Sequence, residues 1–260
     1  MSDDEIRVLE GVEGEAFAGF FPHDSFVVGG AVGVASPASQ VLLMNRVIGL
    51  GVHEPAGDSQ LDEIGELFAG RRHMISLAPG AEPSDLAERL RARGYRPGNA
   101  WVKFRRSAIS PASVATDLRV ERIGPDQAAE FARVLNEGTG MGPAAGDPMA
   151  QVVGRAGWAC YLAYAGDEPA AAGMVYVGES AAWLGGAATI PRFRRRGGQS
   201  AIMVERIRHA ASCGCRRIVT ETGEAAPGQP DVSHRNILRL GFEAAYVRPN
   251  FVSPEPTTAA

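Results

Sequence analysis

The sequence predicts an α+β protein, an α/β/α sandwich around a mixed, mostly antiparallel sheet, built as two related domains. Three observations carry this. Between residues 118 and 252 the apolar pattern switches between period 2 and period 3.6, in the order strand, helices, three strands, helix, strand, helix, strand. The three successive strands are separated by turns too short for crossovers, which makes them an antiparallel meander. Residues 26–104 then run through the later part of the same order, as expected of a duplication, with two unrelated α/β pieces as the competing reading.

Taken in order, the opening MSDDEIRVLEGVEG is acidic and lacks the apolar core of a secretion signal. FVVGGAVGVAS (26–36) and VLLMNRVIGLG (41–51) read as strands, SQLDEIGELFAG (59–70) as a helix and HMISLAP (73–79) as a strand. SDLAERLRARGYRPGNAWVKF (84–104) is a Ser-led helix, a Gly-aromatic pair and a strand. RRSAISPASVATD (105–117) shifts to Ser, Ala and Pro and marks a boundary. The expected domains are therefore 1–110 and 118–252, with 111–117 as linker.

LRVERI (118–123) alternates as a strand, and GPDQAAEFARVLNEG (124–138) is a helix with Asp126 as N-cap and Gly138 as stop. The Gly/Pro-rich stretch 138–148 is a loop before a short helix. WACYLAYA (158–165), PAAAGMVYVG (169–178) and AAWLGGAAT (181–189) form the meander. After PRFRRRGG the period becomes helical. Met203, Ile207, Ala210 and Ala211 share one face, Glu205, Arg206, Arg208 and His209 lie mostly outside it, and Gly214 ends the helix. RRIVTET (216–222) is the next strand; a Gly/Pro loop leads to the helix SHRNILRL (233–240), and Gly241-Phe242 opens the last strands. SPEPTTAA (253–260) reads as a flexible tail.

With 45% hydrophobic and 22% charged residues, the 260-residue chain has the composition of a globular protein rather than a disordered one. A net charge of −4 argues against a general affinity for nucleic acid or anionic membranes. The charge is uneven: residues 118–252 hold fifteen arginines against thirteen acidic residues, so an anion site is expected there. Lys103 is the only lysine and reads as a compositional bias without function. Cys160, Cys213 and Cys215 are too few for a disulfide framework. Cys213-Gly-Cys215 has no matching Cys/His cluster, so no metal is expected. No apolar run reaches the ~20 residues of a membrane span, and the expected location is cytoplasmic.

The chemistry concentrates in PRFRRRGGQSA (191–201). A strand that turns through glycines into a helix aims free backbone N–H groups at one point, and the helix dipole adds to them. Gly197 and Gly198 allow close backbone approach. Arg194, Arg195 and Arg196 place charge-assisted donors around the rim. A diphosphate fits such a cradle. The spacing is neither GxxxxGK[ST] nor GxGxxG. Only Phe193 interleaves with the arginines, against a nucleic-acid face. A solvated arginine turn is the competing reading of the loop by itself.

With its surroundings, the stretch resembles the acyl-CoA-binding motif of the GNAT-superfamily N-acetyltransferases: a strand ending V-x-P, then x-x-[QR]-x-x-G-x-[GA] opening a helix. Thr189-Ile-Pro191 stands for V-x-P, and Arg194 and Gly197 match the next two positions. Gln199 departs from the usual Gly or Ala. The element order of 118–252 is similar to the family's as well, and the whole chain looks like a tandem form with a degenerate N-terminal copy. The resemblance implies that the backbone of residues 195–200, including Gly198 and Ser200, holds the diphosphate of acetyl-CoA. It implies that Ala188, Thr189 and Ile190 pair with the pantetheine arm. An N–H near Thr189 would polarise the thioester, a role often worth ~3 kcal/mol of barrier.

The acceptor this implies is a primary amine, on a small molecule or a protein. Where the family often carries a Tyr as general acid, this chain has Ile237. Ser233, Asn236 and Tyr246 are the polar candidates nearby, as acid or as cofactor contacts, and Glu221 is the candidate base. In the first half the matching loop GVHEPAGDSQLDEI (51–64) carries Glu54, Asp58, Asp62 and Glu63 and no arginine, so it is expected not to bind CoA. Two other readings stay open: a non-catalytic acyl-CoA sensor or scaffold, and a nucleic-acid contact through the arginines.

Overall fold

Residues 1–37, 39–224 and 232–255 are described by the computed structural model. The acidic opening forms α1 (Asp3–Phe20), a helix the sequence reading does not anticipate. The Ser2 hydroxyl accepts from the Glu5 N–H at 3.3 Å. Asp3, Asp4 and Glu5 occupy the first turn, where the helix dipole favours negative charge. Ile6, Leu9, Ala16, Phe17 and Phe20 then bury one face.

The single strand expected over 26–36 is a hairpin, β1 (Ser25–Val28) and β2 (Ala31–Ala35). Gly29 and Gly30, at φ +55° and +70°, supply the two left-handed residues that a tight two-residue turn needs. After a 3₁₀ turn at Leu42–Met44, β3 (Asn45–Ile48), α2 (Asp58–Phe68) and β4 (Met74–Ser76) make a crossover. The strands β3 and β4 pair in parallel. Val47, Leu61, Ile64, Phe68, Ile75 and Leu90 are core residues there. α3 (Leu86–Ala92), β5 (Arg96–Pro97) and β6 (Trp101–Ser107) follow.

The second half holds β7 (Arg119–Arg122), α4 (Ala128–Thr139), α5 (Pro143–Ala150), β8 (Trp158–Ala165), β9 (Glu168–Val177) and β10 (Ala181–Thr189). It continues with α6 (Gly198–Ser212), β11 (Arg217–Gly223), α7 (Val232–Arg239), β12 (Glu243–Arg248) and β13 (Asn250–Val252). Asp126 does not cap α4. A 3₁₀ turn at Pro125–Gln127 precedes it, and the Gln127 Oε1 accepts from the Gly124 N–H at 3.0 Å. The helix runs through Gly138 and ends at Gly140, which has φ +72°.

The meander β8-β9-β10 is antiparallel, and β10 pairs in parallel with β11 after the α6 crossover. This repeats the senses of β1-β2-β3, α2 and β4. The two sheets run β1-β2-β3-β4-β13-β5 and β12-β6-β11-β10-β9-β8-β7. The strand next to β4 is therefore β13, from the C-terminal end, and the strand next to β11 is β6, from the N-terminal half. Described residues within Met1–Lys103, Thr222–Pro227 and Ala245–Ala260 form one compact unit, those within Phe104–Glu221 and Gly228–Ala244 the other. The units interleave along the chain, where the sequence suggested one cut at 111–117.

Lys103 is not a compositional accident of the surface. It is fully buried in the first unit, ion-paired with Glu13 and 3.5 Å from Glu10. Arg46 meets Glu13 at 3.0 Å, and Arg248 bridges Glu10 and Glu13 at 2.8 Å each. Burial by itself would raise the Glu10 carboxyl, but Arg248, Lys103 and the Tyr246 hydroxyl hold it below the ordinary carboxylate value. The expected tail begins with an anchored residue. The Ser253 N–H donates to the His73 carbonyl at 2.9 Å, and its Oγ accepts from the His73 N–H at 3.0 Å. Residues 256–260 of that tail, and 225–231 of the expected Gly/Pro loop, lie outside the described residues.

Candidate acyl-CoA site

In the second unit β10 does not stay in register with β9 to its end: the pairing shifts between Gly185 and Ala188. Beyond the bulge the strand end reaches Thr189, and Pro191–Phe193 turns it toward α6. That helix starts on Gly197 at φ +80°, with no side chain capping it. A Cβ on Gly197 would lie 2.7 Å from the Ala115 carbonyl oxygen, and one on Gly198 2.9 Å from the Leu118 side chain. Glycine is required here by both backbone conformation and space. Free N–H groups of a first helical turn are left to find a partner.

Strand end and helix start open on one cavity of about 670 Å³, within the usual range for a small-molecule site. Ala188, Thr189, Arg194, Arg195, Gly197, Gly198, Gln199, Ser200, Ser233 and Asn236 all line it, as the sequence groups them. Gly138, Ala187, Phe193, Val232 and Arg239 join them. The sequence reads Gly138 as a helix stop. Its real constraint is proximity, since a Cβ there would sit 2.7 Å from the Ala188 Cβ and 3.1 Å from the Thr189 nitrogen. Only a tertiary contact reveals that.

The four arginines divide. Arg192 pairs with Glu168 and Glu137, and Arg196 with Asp117, whose carboxyl it holds below its usual value. Arg196 is thus engaged away from the cavity and does not line it. Arg194 donates to the carbonyls of Thr189 and Gly138 at 3.4 and 3.3 Å, buttressing the strand end. Arg195 lines the cavity at φ +65°, with no ion pair to a described residue. Phe193 is buried, with Arg192 and Arg196 guanidinium groups 4.8 and 5.7 Å from its ring, rather than displayed for base stacking. Among the described residues, Arg194, Arg195 and Arg239 are the only ionisable side chains of the lining, which makes that part of the site electropositive.

Gln199 is tied down: the Asn236 amide donates to its Oε1 at 2.8 Å, linking α6 to α7. Ile190 is buried, with its N–H donating to Ala170 at 2.9 Å, and does not face the cavity. Tyr246 is misplaced by the sequence reading. It lies buried in the first unit, its hydroxyl donating to Glu10 at 2.5 Å. Glu221 lies on β11 one residue past Thr220, the last in register with β10 (Leu184↔Thr220), and is outside the lining.

The corresponding helix start in the first unit is engaged within that unit. The Gln60 Oε1 accepts from the Gly57 N–H at 2.9 Å, and Arg89 and Arg93 hold the Asp58 carboxylate at 3.1 and 2.9 Å. Among the described residues no group of three or more His, Cys, Asp or Glu is arranged to hold a metal ion. No described helix is long and apolar enough to cross a membrane.

Comparison with solved structures identifies the class of fold. A GCN5-related N-acetyltransferase from Kribbella flavida aligns over 95% of this chain and 96% of its own, at 14% identity and TM-score 0.68. Another from Sphaerobacter thermophilus aligns over 88% and 82%, at 12% identity and TM-score 0.63. A tandem GNAT protein from the clavulanic acid biosynthesis pathway aligns over 83% and 76%, at 16% identity and TM-score 0.55. The chain has the GNAT fold, in an arrangement similar to a tandem member. No protein-family model and no curated protein sequence matches it significantly.

Proposed function

We propose that the second unit binds acetyl-CoA and that the protein is an N-acetyltransferase acting on a primary amine. One observation carries the reading. An uncapped helix start, where glycine alone fits, opens on a cavity whose ionisable lining is arginine. Backbone N–H groups at Gly198–Ser200 would hold the diphosphate, with Arg194, Arg195 and Arg239 at its rim. The strand end Ala187–Thr189 would carry the pantetheine arm. Acetyl-CoA supplies an activated acyl carbon on which nitrogen replaces sulfur.

Glu221, beside the point where β10 leaves its register, is the proposed base for the ammonium proton. Ser233 is the proposed proton donor to the thiolate. The first unit, with an acidic Asp58 at its helix start, is proposed not to bind CoA. Isothermal titration with acetyl-CoA tests the binding, and an absence of heat up to millimolar ligand sinks it. Thiol release against a panel of amines tests the transfer. Replacement of Glu221 by Gln is expected to lower kcat at least tenfold and leave the KM for acetyl-CoA unchanged. Among the described residues the lining holds no acid or base other than arginine, which favours a second reading, a non-catalytic acyl-CoA binder. Binding without thiol release would select it.

A further inference from the structure

Arg206 belongs to the polar side of α6 by helical spacing, yet it is only 1% exposed. Its Nη1 donates to the carbonyls of Met174 and Gly185, each at 3.1 Å. Those two residues face each other across β9 and β10, at the last aligned pair before the bulge. A bulge deprives ladder carbonyls of their partners, and orphaned buried carbonyls are costly. One guanidinium nitrogen thus ties both strands together where their register is about to break.

Other features say that this placement is built. No described carboxylate pairs with Arg206, and burial pulls its pKa down to about 10, so the fold keeps a cation there at a desolvation cost. An apolar residue of similar length would fill the same space without that cost. Room is made by Gly173, where a Cβ would come within 3.2 Å of the Arg206 Cζ and 2.7 Å of Ile202. Just past the pair, Gly186 takes φ +49°, and the Met174 side chain occupies the position where its Cβ would be. The same helix begins at Gly198, about 12 Å away along its axis.

We propose that Arg206 is a positioning residue that fixes the β10 bulge relative to α6, and so sets the strand end Ala187–Thr189 against the helix start Gly197–Ser200. Its functional consequence rests on the acyl-CoA reading of the cavity. Because Nη1 alone makes both hydrogen bonds, a lysine ammonium can replace it, whereas an isosteric apolar chain cannot.

The test compares full-length wild type, Arg206→Lys and Arg206→Met by titration with acetyl-CoA and by thermal unfolding. Arg206→Met is expected to bind at least tenfold more weakly while unfolding cooperatively, and Arg206→Lys to stay within threefold of wild type. A lowered Tm with unchanged affinity in Arg206→Met overturns the inference, since that is what a merely structural role produces. If Arg206→Met does not fold, Gly173→Ala takes its place. It crowds Ile202 and the guanidinium together without removing the cation, and is expected to weaken binding at least fivefold; unchanged affinity counts against the proposal. If wild type itself fails to bind, the acyl-CoA reading fails, and amide hydrogen exchange at Ala187–Thr189 decides the positioning role. Exchange at least tenfold faster in Arg206→Met, or in Gly173→Ala, supports it, and equal rates overturn it.

Discussion

His73 shows how one buried ring sets a pH dependence. It stacks on Phe68 with centroids 3.9 Å apart, its Nδ1 lies 2.9 Å from the Arg71 carbonyl and its Nε2 2.6 Å from the Tyr95 hydroxyl. A carbonyl can only accept, so Nδ1 carries a proton, and with the pKa below neutrality Nε2 is unprotonated at pH 7 and accepts from Tyr95. Burial lowers its pKa from 6.5 to about 4. The unfolded chain therefore binds a proton that the folded chain refuses. His73 contributes its stability above pH 6.5, and that contribution, roughly 3 kcal/mol, is lost as pH falls toward 4. His73→Phe should unfold at a lower Tm at pH 7 but lose less Tm than wild type between pH 7 and 4.5, measured calorimetrically. Glu13 is buried for a different reason, its ion pairs. Arg46, Lys103 and Arg248 all pair with it, and Glu13→Gln removes the one carboxylate that all three share. Breaking a buried pair costs about 3–5 kcal/mol, so this variant is expected near the limit of foldability, read by urea unfolding.

At the scale of elements, two helix starts of similar topology differ in what fills them. Gly197→Val should abolish acetyl-CoA binding, because φ +80° and the Ala115 carbonyl both exclude a side chain. Gly57→Val should leave binding intact, since Gly57 has an ordinary extended φ of −90°. Gly138→Val should raise the KM for acetyl-CoA at least tenfold by pushing the strand end at Ala188–Thr189. The first of these glycines is legible in the sequence, because a glycine pair between a strand and a helix is a local signal. Gly138 is not, because its constraint comes from a strand some fifty residues away in the chain. The same division explains the other differences. The meander and α6 follow from local periodicity and appear where expected. α1 is hidden because Glu10 and Glu13 interrupt its apolar stripe, and they are buried only because Arg46, Lys103 and Arg248 meet them. Arg206 and Tyr246 are likewise placed by partners distant in sequence.

For the whole molecule, the two halves repeat one order of strands and helices, but the last strand of each pattern is found in the other sheet. Sequence periodicity reports that β6 and β13 are strands and says nothing about which neighbour they take, since strand pairing is a long-range choice. The net charge of −4 is equally silent about the local excess of arginine around the cavity. The exchange of β6 and β13 makes this polypeptide the single-chain counterpart of a domain-swapped pair. A peptide bond broken between residues 110 and 111 would give fragments that each lack a strand beside their parallel crossover and carry an orphan strand instead. Each fragment alone is expected to aggregate, and the two refolded together to form a one-to-one complex that recovers acetyl-CoA binding, measured by light scattering and titration. A stable, monomeric 111–260 fragment would contradict this. Recombination that separates the halves would therefore yield two dependent remnants rather than two portable modules.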